Sequence, residues 1–335
     1  MTVAPPTSLS LSRRGLMAGA VALAATPAAA QSAPVRVATL RFGSVAWELD
    51  VIRTHGLDRA GGFAVEPAEY AATQAAQVAL QAGRVDMAVQ DWLWVSRQRA
   101  SGADWTFAPA TSAVGAVVAP SNSPVRTLSD LAGRRFGIAG GPLDKSWLIL
   151  RAFAGKTLGL DLDAKADKVF GPPPLLLEQL RAGRLDAALT YWPYAARAEA
   201  DGMRSVLAME QAVSGLGVSA RTPVLGWVFS EQWAKRSGSG LRAFLDASRK
   251  ARDILATSDA EWDRVAPLTG ASSPGELNRL RDWYRSGIPD ERGAGRDDAA
   301  RLYDILAATG GPPLVGAAPH LAAGTFWSSD DVTPG

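Results

Sequence analysis

Charged and hydroxyl side chains directly follow predicted strands, at matched points of the chain. Arg41 and Ser44 follow a first strand, Asp91 follows a later one, and Asp144 and Lys145 stand in an equivalent loop about 100 residues further on. Arg41 and Lys145 could bind an anion or remain solvent-exposed charges. Ser44 and Asp144 could contact a ligand or cap the helices that they precede. Together these residues suit the binding of a small charged molecule.

Tryptophan is abundant, with 11 residues in 335. Several indoles stand where strands end or helices begin, where they could line a ligand cleft or pack between helix and sheet. The candidates for the cleft are Trp47, Trp92, Trp147, Trp192 and Trp227. The remaining candidate ligand-binding residues, from the same loops, are Gln90, Gly141 and Tyr191. These aromatic side chains predict a cleft suited to an organic solute.

Residues for covalent and metal chemistry are scarce. The chain has no cysteine and only two histidines, His55 and His320, which excludes disulfides, thiolate zinc sites and cysteine nucleophiles. The segment Gly155-Lys156-Thr157 resembles the end of a P-loop, but Leu150 stands where the first glycine is required. We therefore expect no enzyme activity, no metal site and no cofactor.

An internal repeat determines the architecture. Residues 80–92 and 180–192 are identical at seven of 13 positions, and both segments end in tryptophan. At the same offset, the strand, loop and Trp-bearing helix of 35–47 correspond to 135–147. Two matches in one register indicate a duplication into two similar α/β lobes, since solenoid repeats have far shorter periods.

Strands alternate with helices in each half, a pattern typical of mainly parallel sheets covered by helices. Strands are predicted at 35–40, 63–70, 85–89, 135–139, 166–170 and 185–190. Helices are predicted at 44–54, 73–82, 93–100, 143–158, 175–182 and 194–200. The apolar runs 113–119 and 224–229 are predicted as two chain crossings between the lobes. Helices predicted at 241–256, 259–265, 274–286 and 296–308 would pack back on the first lobe. Ligands of such sheets bind beyond the carboxyl ends of the strands, where helix N-termini attract anions.

The first 30 residues have the features of an export signal. Arg13 and Arg14 precede an uncharged, alanine-rich stretch that ends in Ala28-Ala29-Ala30. This order of charge, apolar run and small residues predicts a twin-arginine signal peptide cleaved after Ala30. An uncleaved anchor is the alternative, although the uncharged stretch is shorter than the roughly 20 residues that span a bilayer. Because cysteine is absent, the protein would not be a lipoprotein.

The charge balance excludes polyanionic partners. Lysine and arginine exceed aspartate and glutamate by two over the whole chain, and Arg13 and Arg14 account for this excess. A neutral mature protein is not expected to bind nucleic acid.

Four ordered motifs resemble the solute-binding proteins of ABC importers, specifically the sulfonate/nitrate/taurine-type group with a type II periplasmic binding fold. The motifs are Leu80-x-x-Gly83-x-Val-Asp86, Ser123-Pro-Val through Gly137-Ile138, Pro172-Pro-Pro174, and Leu180-x-x-Gly183 through Tyr191-Trp192-Pro193. The similarity covers about residues 35–290. One loop departs from it, because relatives that take simple anions have Ser/Thr-rich loops where this chain has residues 140–145. A zwitterion, a cationic organic molecule or a metal chelate is therefore a candidate ligand alongside a sulfonate.

The resemblance implies a division into three parts: the signal at 1–30, lobe one at 31–117 plus 222–335, and lobe two at 118–221. It implies a monomeric periplasmic component of an ABC importer that binds a small solute between the lobes and delivers it to permease and ATPase subunits. Two other hypotheses stay open. One is a solute sensor that presents its closed form to a receptor, and the other is a pyrimidine-synthase-like enzyme on the same fold, with Lys145 forming a Schiff base.

Overall fold

The structure, a computed structural model, describes residues 1–4, 34–41, 43–289 and 295–328. The chain divides into a short unit, residues 1–31, and a larger unit, residues 32–335. Residues 1–4 are exposed and have no regular secondary structure. The predicted signal features, Arg13, Arg14 and the cleavage site after Ala30, lie outside the described residues. Within the described ranges, no helix is long and apolar enough to cross a membrane.

Strands and helices alternate through most of the larger unit. The strands are β1 Val35–Leu40, β2 Val65–Tyr70, β3 Met87–Asp91, β4 Trp105–Thr111, β5 Gly115–Ala119, β6 Arg135–Ala139, β7 Asp167–Gly171, β8 Ala187–Tyr191, β9 Arg204–Ala208 and β10 Leu225–Ser230. The helices up to the last strand are α1 Val45–Thr54, α2 Leu57–Ala60, α3 Thr73–Gln81, α4 Trp92–Ala100, α5 Lys145–Leu158, α6 Leu162–Lys165, α7 Pro173–Arg181, α8 Trp192–Ala200 and α9 Met209–Gly215. The helices after it are α10 Glu231–Ser237, α11 Ser239–Thr257, α12 Asp259–Thr269, α13 Pro274–Ser286, α14 Arg296–Gly310 and α15 Pro312–Val315.

The strands form two five-stranded sheets of the same design. The first has the order β2-β1-β3-β10-β4 and the second the order β7-β6-β8-β5-β9. In each sheet four strands run in the same direction, and one strand, β10 in the first sheet and β5 in the second, runs antiparallel to both of its neighbours. The predicted α/β fold with two similar lobes is therefore confirmed. The sheets are mixed because β5 and β10 run against the direction of the other strands. Each of these two strands enters its sheet after the chain has come from the other sheet.

The chain crosses between the sheets at 112–114 and 216–224, directly before β5 and β10. The apolar runs predicted as the crossings are themselves strands, since they are apolar enough to be buried within the sheets. Gly115 at the start of β5 has a φ of +146°, and a Cβ atom there would lie 2.0 Å from the carbonyl oxygen of Thr190. Only glycine allows this close approach of the first crossing to β8.

The remaining predicted strands and helices occur within a few residues of their predicted limits. The strands β4 and β9 and the short helices α2, α6, α9, α10 and α15 were not predicted. Pro109 interrupts the pattern of β4, and β4 tolerates it because it is an edge strand. The edge strand β9 is only partly buried, so its apolar pattern is weak.

The C-terminal helices contact both halves of the molecule. α11 and α12 pack on α1, as expected for a return to the first half. α13 also packs against α8, and α14 against α5, so these helices tie the second sheet to the first. Trp192 at the start of α8 packs edge-on against Tyr284 of α13, with 6.2 Å between the ring centroids.

Polar contacts reinforce the packing of α8 on α13. Arg197 of α8 forms an ion pair with Glu276 of α13 and donates to the carbonyl oxygen of Thr269 at 2.7 Å. The indole N–H of Trp283 donates to Glu199 at 3.0 Å. Only 16% of the Arg197 side chain and 8% of the Glu276 side chain are exposed, so this pair is shielded from water.

We predict that Arg197→Met lowers the free energy of unfolding by about 3 kcal/mol, because it leaves the buried Glu276 carboxylate without its cation. Urea unfolding at neutral pH measures the change. Arg135→Met is the matched control: its 3.9 Å pair with Asp167 is more than half exposed, so its loss should cost below about 1 kcal/mol. Equal losses in the two variants would contradict the importance of the α8–α13 contact.

Candidate functional site

The carboxyl ends of β1, β3 and β8 lie at the sheet edges where the chain crosses between the sheets. In the first sheet Ala38 of β1 pairs with Ala88 of β3, so Arg41 and Asp91, three residues further on in each case, lie at the same sheet edge. In the second sheet Tyr191 ends β8 and pairs with Gly115, the first residue after a crossing. Asp91 likewise pairs with Leu225, the first residue of β10. The ends of β3 and β8 are therefore each one strand away from a crossing.

Two aspartates cap the helices that begin at these strand ends. Asp91 accepts a hydrogen bond from the backbone N–H of Trp94 at 2.8 Å, in the first turn of α4. Asp144 accepts one from the backbone N–H of Ser146 at 2.9 Å, in the first turn of α5. A carboxylate at a helix N-terminus binds free N–H groups and balances the positive end of the helix dipole. Asp91 and Asp144 thus occupy the positions where an anionic ligand could otherwise bind.

Tyr191 is hydrogen-bonded to one of these aspartates. Its hydroxyl donates to the second carboxylate oxygen of Asp144 at 2.8 Å. Burial raises the pKa of Tyr191 well above its ordinary value, and the charges of Asp144 and Asp91 raise it further. The ammonium of Lys145 lies 5.4 Å from the centroid of the Tyr191 ring. The Tyr191 hydroxyl therefore stays protonated and serves as the donor to Asp144.

Gly140 makes room for this contact. It has a φ of +84°, and a Cβ atom there would lie 2.8 Å from both the Tyr191 hydroxyl and the Asp144 carboxylate. The adjacent Gly141 has no heavy atom within 4 Å of such a Cβ position. The β6–α5 loop is thus closed around Asp144 and open at Gly141.

Two of the other polar candidates, Arg41 and Gln90, have partners that the sequence did not reveal. Arg41 donates to Glu69 at 3.0 Å, and both side chains are more than half exposed. Gln90 is buried and accepts from the side-chain amide of Gln77 at 2.9 Å. The Ser44 side chain makes no capping hydrogen bond to α1. Glu69 and Gln77 lie on neighbouring elements, β2 and α3, and no local pattern links them to the site.

The five candidate tryptophans fall into two groups. Trp92, Trp147 and Trp227 are fully buried within the hydrophobic core. The indole N–H of Trp92 donates to the carbonyl oxygen of Pro223, and that of Trp227 donates to the hydroxyl of Ser248. In this structure these three indoles are core packing.

Trp47 and Trp192 contact each other between the two halves. Their ring centroids are 6.0 Å apart with an interplanar angle of 87°, and the indole N–H of Trp47 donates to the carbonyl oxygen of Leu268 at 3.2 Å. Trp47 and Trp192 are more than 100 residues apart in the chain, yet both indoles belong to the same hydrophobic core cluster. This pair links the start of α1 to the start of α8.

No metal site is apparent in the part of the chain that the structure describes: it contains no group of three or more His, Cys, Asp or Glu side chains able to hold an ion. The half-buried carboxyl of Glu210 lies beside the first crossing, where the backbone N–H of Val114 donates to it at 3.5 Å. Burial raises the pKa of Glu210. The chemistry that this region can supply is hydrogen bonding and charge.

Two similar mixed sheets, joined by two crossings and with helix N-termini facing the junction, define the fold of the periplasmic solute-binding proteins. The chain belongs to the family described as NMT1/THI5 like, whose model matches residues 54–261, more than half of the sequence. A comparison with curated proteins found no match.

Solved structures share this fold at low sequence identity. The alkanesulfonate-binding protein SsuA from Xanthomonas axonopodis pv. citri, bound to MOPS, is 19% identical, covers 89% of this chain and 99% of its own, and superposes with a TM-score of 0.70. The aliphatic sulphonate-binding SsuA of Escherichia coli is 18% identical over 89% and 92% of the two chains, with a TM-score of 0.70. A zinc-bound ligand-binding component of an ABC-type import system from Staphylococcus aureus is 12% identical over 90% and 98%, with a TM-score of 0.67.

We predict a pH-dependent effect of Tyr191→Phe. At pH 7 the variant should lose about 1.5–3 kcal/mol of unfolding free energy, the usual value of a hydrogen bond to a charged group. Because the folded-state pKa of Tyr191 is raised, the folded protein keeps a proton that the unfolded chain releases above about pH 10. The stability contributed by Tyr191 is therefore present below pH 10 and declines above it.

Urea unfolding of wild type and Tyr191→Phe between pH 7 and 11 tests this dependence. The difference between the two proteins should stay constant up to about pH 9 and narrow above pH 10. A difference that does not change up to pH 11 would show that the Tyr191 hydroxyl ionises normally in the folded protein.

Proposed function

We propose that this protein is the periplasmic solute-binding component of an ABC importer, and that it captures a small organic solute between its two halves. The observation that carries the proposal is that the chain enters β10 and β5 from its two crossings directly beside Asp91, at the end of β3, and Tyr191, at the end of β8. Family membership and the fold support the same class. A ligand at this point contacts both halves at once.

Such a ligand would stabilise the closed arrangement of the two halves. A solute bound to groups on both sheets favours the state in which those groups are close, and an importer recognises that state. The first crossing is short and is tied to the end of α13, where the carbonyl oxygen of Gly287 accepts from the backbone N–H of Ser112 at 2.9 Å and from the hydroxyl of Thr111 at 3.0 Å. Closure would pivot at these crossings, with lobe one at 31–117 plus 222–335 and lobe two at 118–221.

The proposed solute is a sulfonate- or taurine-like anion or zwitterion, or a metal chelate. The proposed partners are the permease and ATPase subunits of the importer, and the protein would act as a monomer in the periplasm. Binding without chemical turnover distinguishes this function from that of an enzyme, and stimulation of a permease–ATPase complex distinguishes it from that of a sensor.

The function is tested with the solute that co-purifies with the exported protein. Mass spectrometry should identify one small organic compound. Added back to protein from which it was removed by unfolding and refolding, this compound should bind in a 1:1 ratio at micromolar concentration and be recovered unchanged. Failure to find any solute that binds, or conversion of the solute into a product, would contradict the proposal.

Intrinsic fluorescence should report this binding through the Trp47–Trp192 contact. We predict that Trp192→Phe removes most of the fluorescence change caused by the solute, because closure alters the surroundings of that indole. Trp105→Phe is the control, since Trp105 packs on Trp94 within the first half. An unchanged signal in Trp192→Phe would exclude this contact as the reporter.

Export by the twin-arginine route is a separate prediction. Replacing Arg13 and Arg14 together by lysine keeps the charge but removes the arginine pair, so the precursor should accumulate in the cytoplasm. Immunoblots of periplasmic and cytoplasmic fractions measure the distribution, and the mature N-terminus should be Gln31. A periplasmic yield equal to that of wild type would indicate the general secretory route.

A further inference from the structure

Resting on the proposed function for the place where a solute enters, we infer that helix α13, Pro274–Ser286, is a strap between the two halves. It holds the halves together through side chains of the protein itself, and the junction opens only when α8 detaches from it. A bound solute adds to this hold and does not create it. Opening is thereby regulated by a helix that contains none of the candidate ligand-binding residues.

The strap is fixed to the first half by several polar contacts. Arg281 and Arg285 both pair with Asp259 at the start of α12, at 3.4 Å and 2.8 Å. Arg285 also donates to the carbonyl oxygen of Leu255 in α11 at 3.1 Å. Tyr284 is buried in a core cluster that includes residues of β1, α1 and α11. We therefore expect α13 to move with the first half.

A different side of the strap binds α8 of the second half. Glu276 pairs with Arg197, and both side chains are largely buried. About two turns further along α13, the indole N–H of Trp283 donates to Glu199 at 3.0 Å. Arg197 also donates to the carbonyl oxygen of Thr269, at the end of α12, at 2.7 Å. These polar contacts bind α8 to two helices of the first half.

Aromatic packing continues the same interface up to the start of α8. Trp192 lies edge-on to Tyr284 of the strap and to Trp47 of α1, with 6.2 Å and 6.0 Å between ring centroids. Ala196 of α8 belongs to the same core cluster. Trp283 packs against this cluster and also against a cluster of the second sheet and its helices. Opening would expose this shared apolar surface to water, which is unfavourable.

The polar contacts are placed where opening separates them furthest. The backbone N–H of Trp192 donates to the carbonyl oxygen of Val114 in the first crossing at 3.2 Å, so α8 starts at the pivot. Arg197 and Glu199 lie further along α8, by about 7 and 10 Å at a rise of 1.5 Å per residue. Displacement in a rotation grows with distance from the axis. Opening must therefore pull Arg197 away from Glu276.

The contact between α14 and α5 also joins the halves, but it lies at the second crossing. Tyr303 of α14 packs on Trp92, whose indole N–H donates to the carbonyl oxygen of Pro223 in that crossing. Lys156 of α5 donates to the carbonyl oxygen of Leu216, where the same crossing begins, at 2.9 Å. Helices packed close to the axis can slide by small amounts. The α8–α13 interface is therefore the one that opening has to break.

Distances between nitroxide labels, measured by pulsed electron paramagnetic resonance, test the strap. The chain has no cysteine, so labels attach only where one is introduced. Val78→Cys in α3 and Leu175→Cys in α7 put one label on each half, at exposed positions on the helices that follow the edge strands β2 and β7. Leu158→Cys with Leu175→Cys is the reference pair within the second half. The protein is freed of solute by unfolding and refolding.

The labelled protein with an intact strap should show one narrow distance between the halves. Arg197→Met leaves the Glu276 carboxylate buried and unpaired for as long as α8 stays on α13, whereas opening hydrates it. The distance between the halves should therefore broaden and lengthen by more than about 2 Å, the scale of a domain rearrangement. The reference distance within the second half should not change.

Two further variants separate the strap from a general loss of stability. Trp283→Phe keeps an aromatic ring but loses the donor to Glu199, so it should also lengthen the distance between the halves, by less than Arg197→Met. Arg99→Met is the matched control. Arg99 pairs with Glu231 at 2.8 Å and donates to the carbonyl oxygen of Trp105, all within the first half, so its loss should leave the distance unchanged.

The possible outcomes are distinct. If the protein with an intact strap already shows the long, broad distribution of Arg197→Met, or if Arg197→Met and Trp283→Phe both keep the narrow one, the inference is overturned. Should Arg197→Met fail to fold, as judged by circular dichroism and the reference distance, Trp283→Phe decides alone. No solute takes part in these measurements, so failure to find a solute that binds would overturn the proposed function and leave the result on the strap in place.

Discussion

The site depends on one constraint, which is how closely β5 and β10, the strands that follow the two crossings, approach the backbone of their neighbouring strands. Gly115 brings β5 against the backbone of Thr190, and Gly226 brings β10 against Ala108, where a Cβ atom would lie 2.2 Å from the carbonyl oxygen. Because the strands that follow the crossings are built into the sheets, the neighbouring ends of β3 and β8 cannot lie elsewhere. Asp91 and Tyr191 stand at those ends, so the backbone alone places them at the junction of the halves.

Electrostatics then determine what the junction can bind. In an open α/β fold, anions usually bind at the helix N-termini next to the strand ends. This chain places a carboxylate on two of them, at the starts of α4 and α5, and prolines on a third, at the start of α7. The Asp144–Tyr191 hydrogen bond, for which Gly140 leaves space, holds one of these carboxylates in place.

Relatives with the same framework need not have the same residues at these helix N-termini. The solved structures that match over most of the chain are below 25% identical to it, which is enough to preserve sheets and crossings. The residues that contact a solute lie in the loops after the strands, where a few substitutions change charge without changing the core. Fold and ligand class are therefore separate questions for this protein.

The sequence by itself determined the duplication, most strands and helices, and the positions of Asp91, Asp144 and Tyr191 at strand ends. These features follow from local periodicity, helix-stopping glycines and a repeat at one fixed offset, all of which can be read along the chain. Only the tertiary structure decided that all five candidate tryptophans are buried and that, among them, Trp47 of α1 and Trp192 of α8 contact each other. It also decided that Arg41 is bound to Glu69. Such partners are distant in sequence, and burial and pairing depend on which surfaces the folded chain brings together.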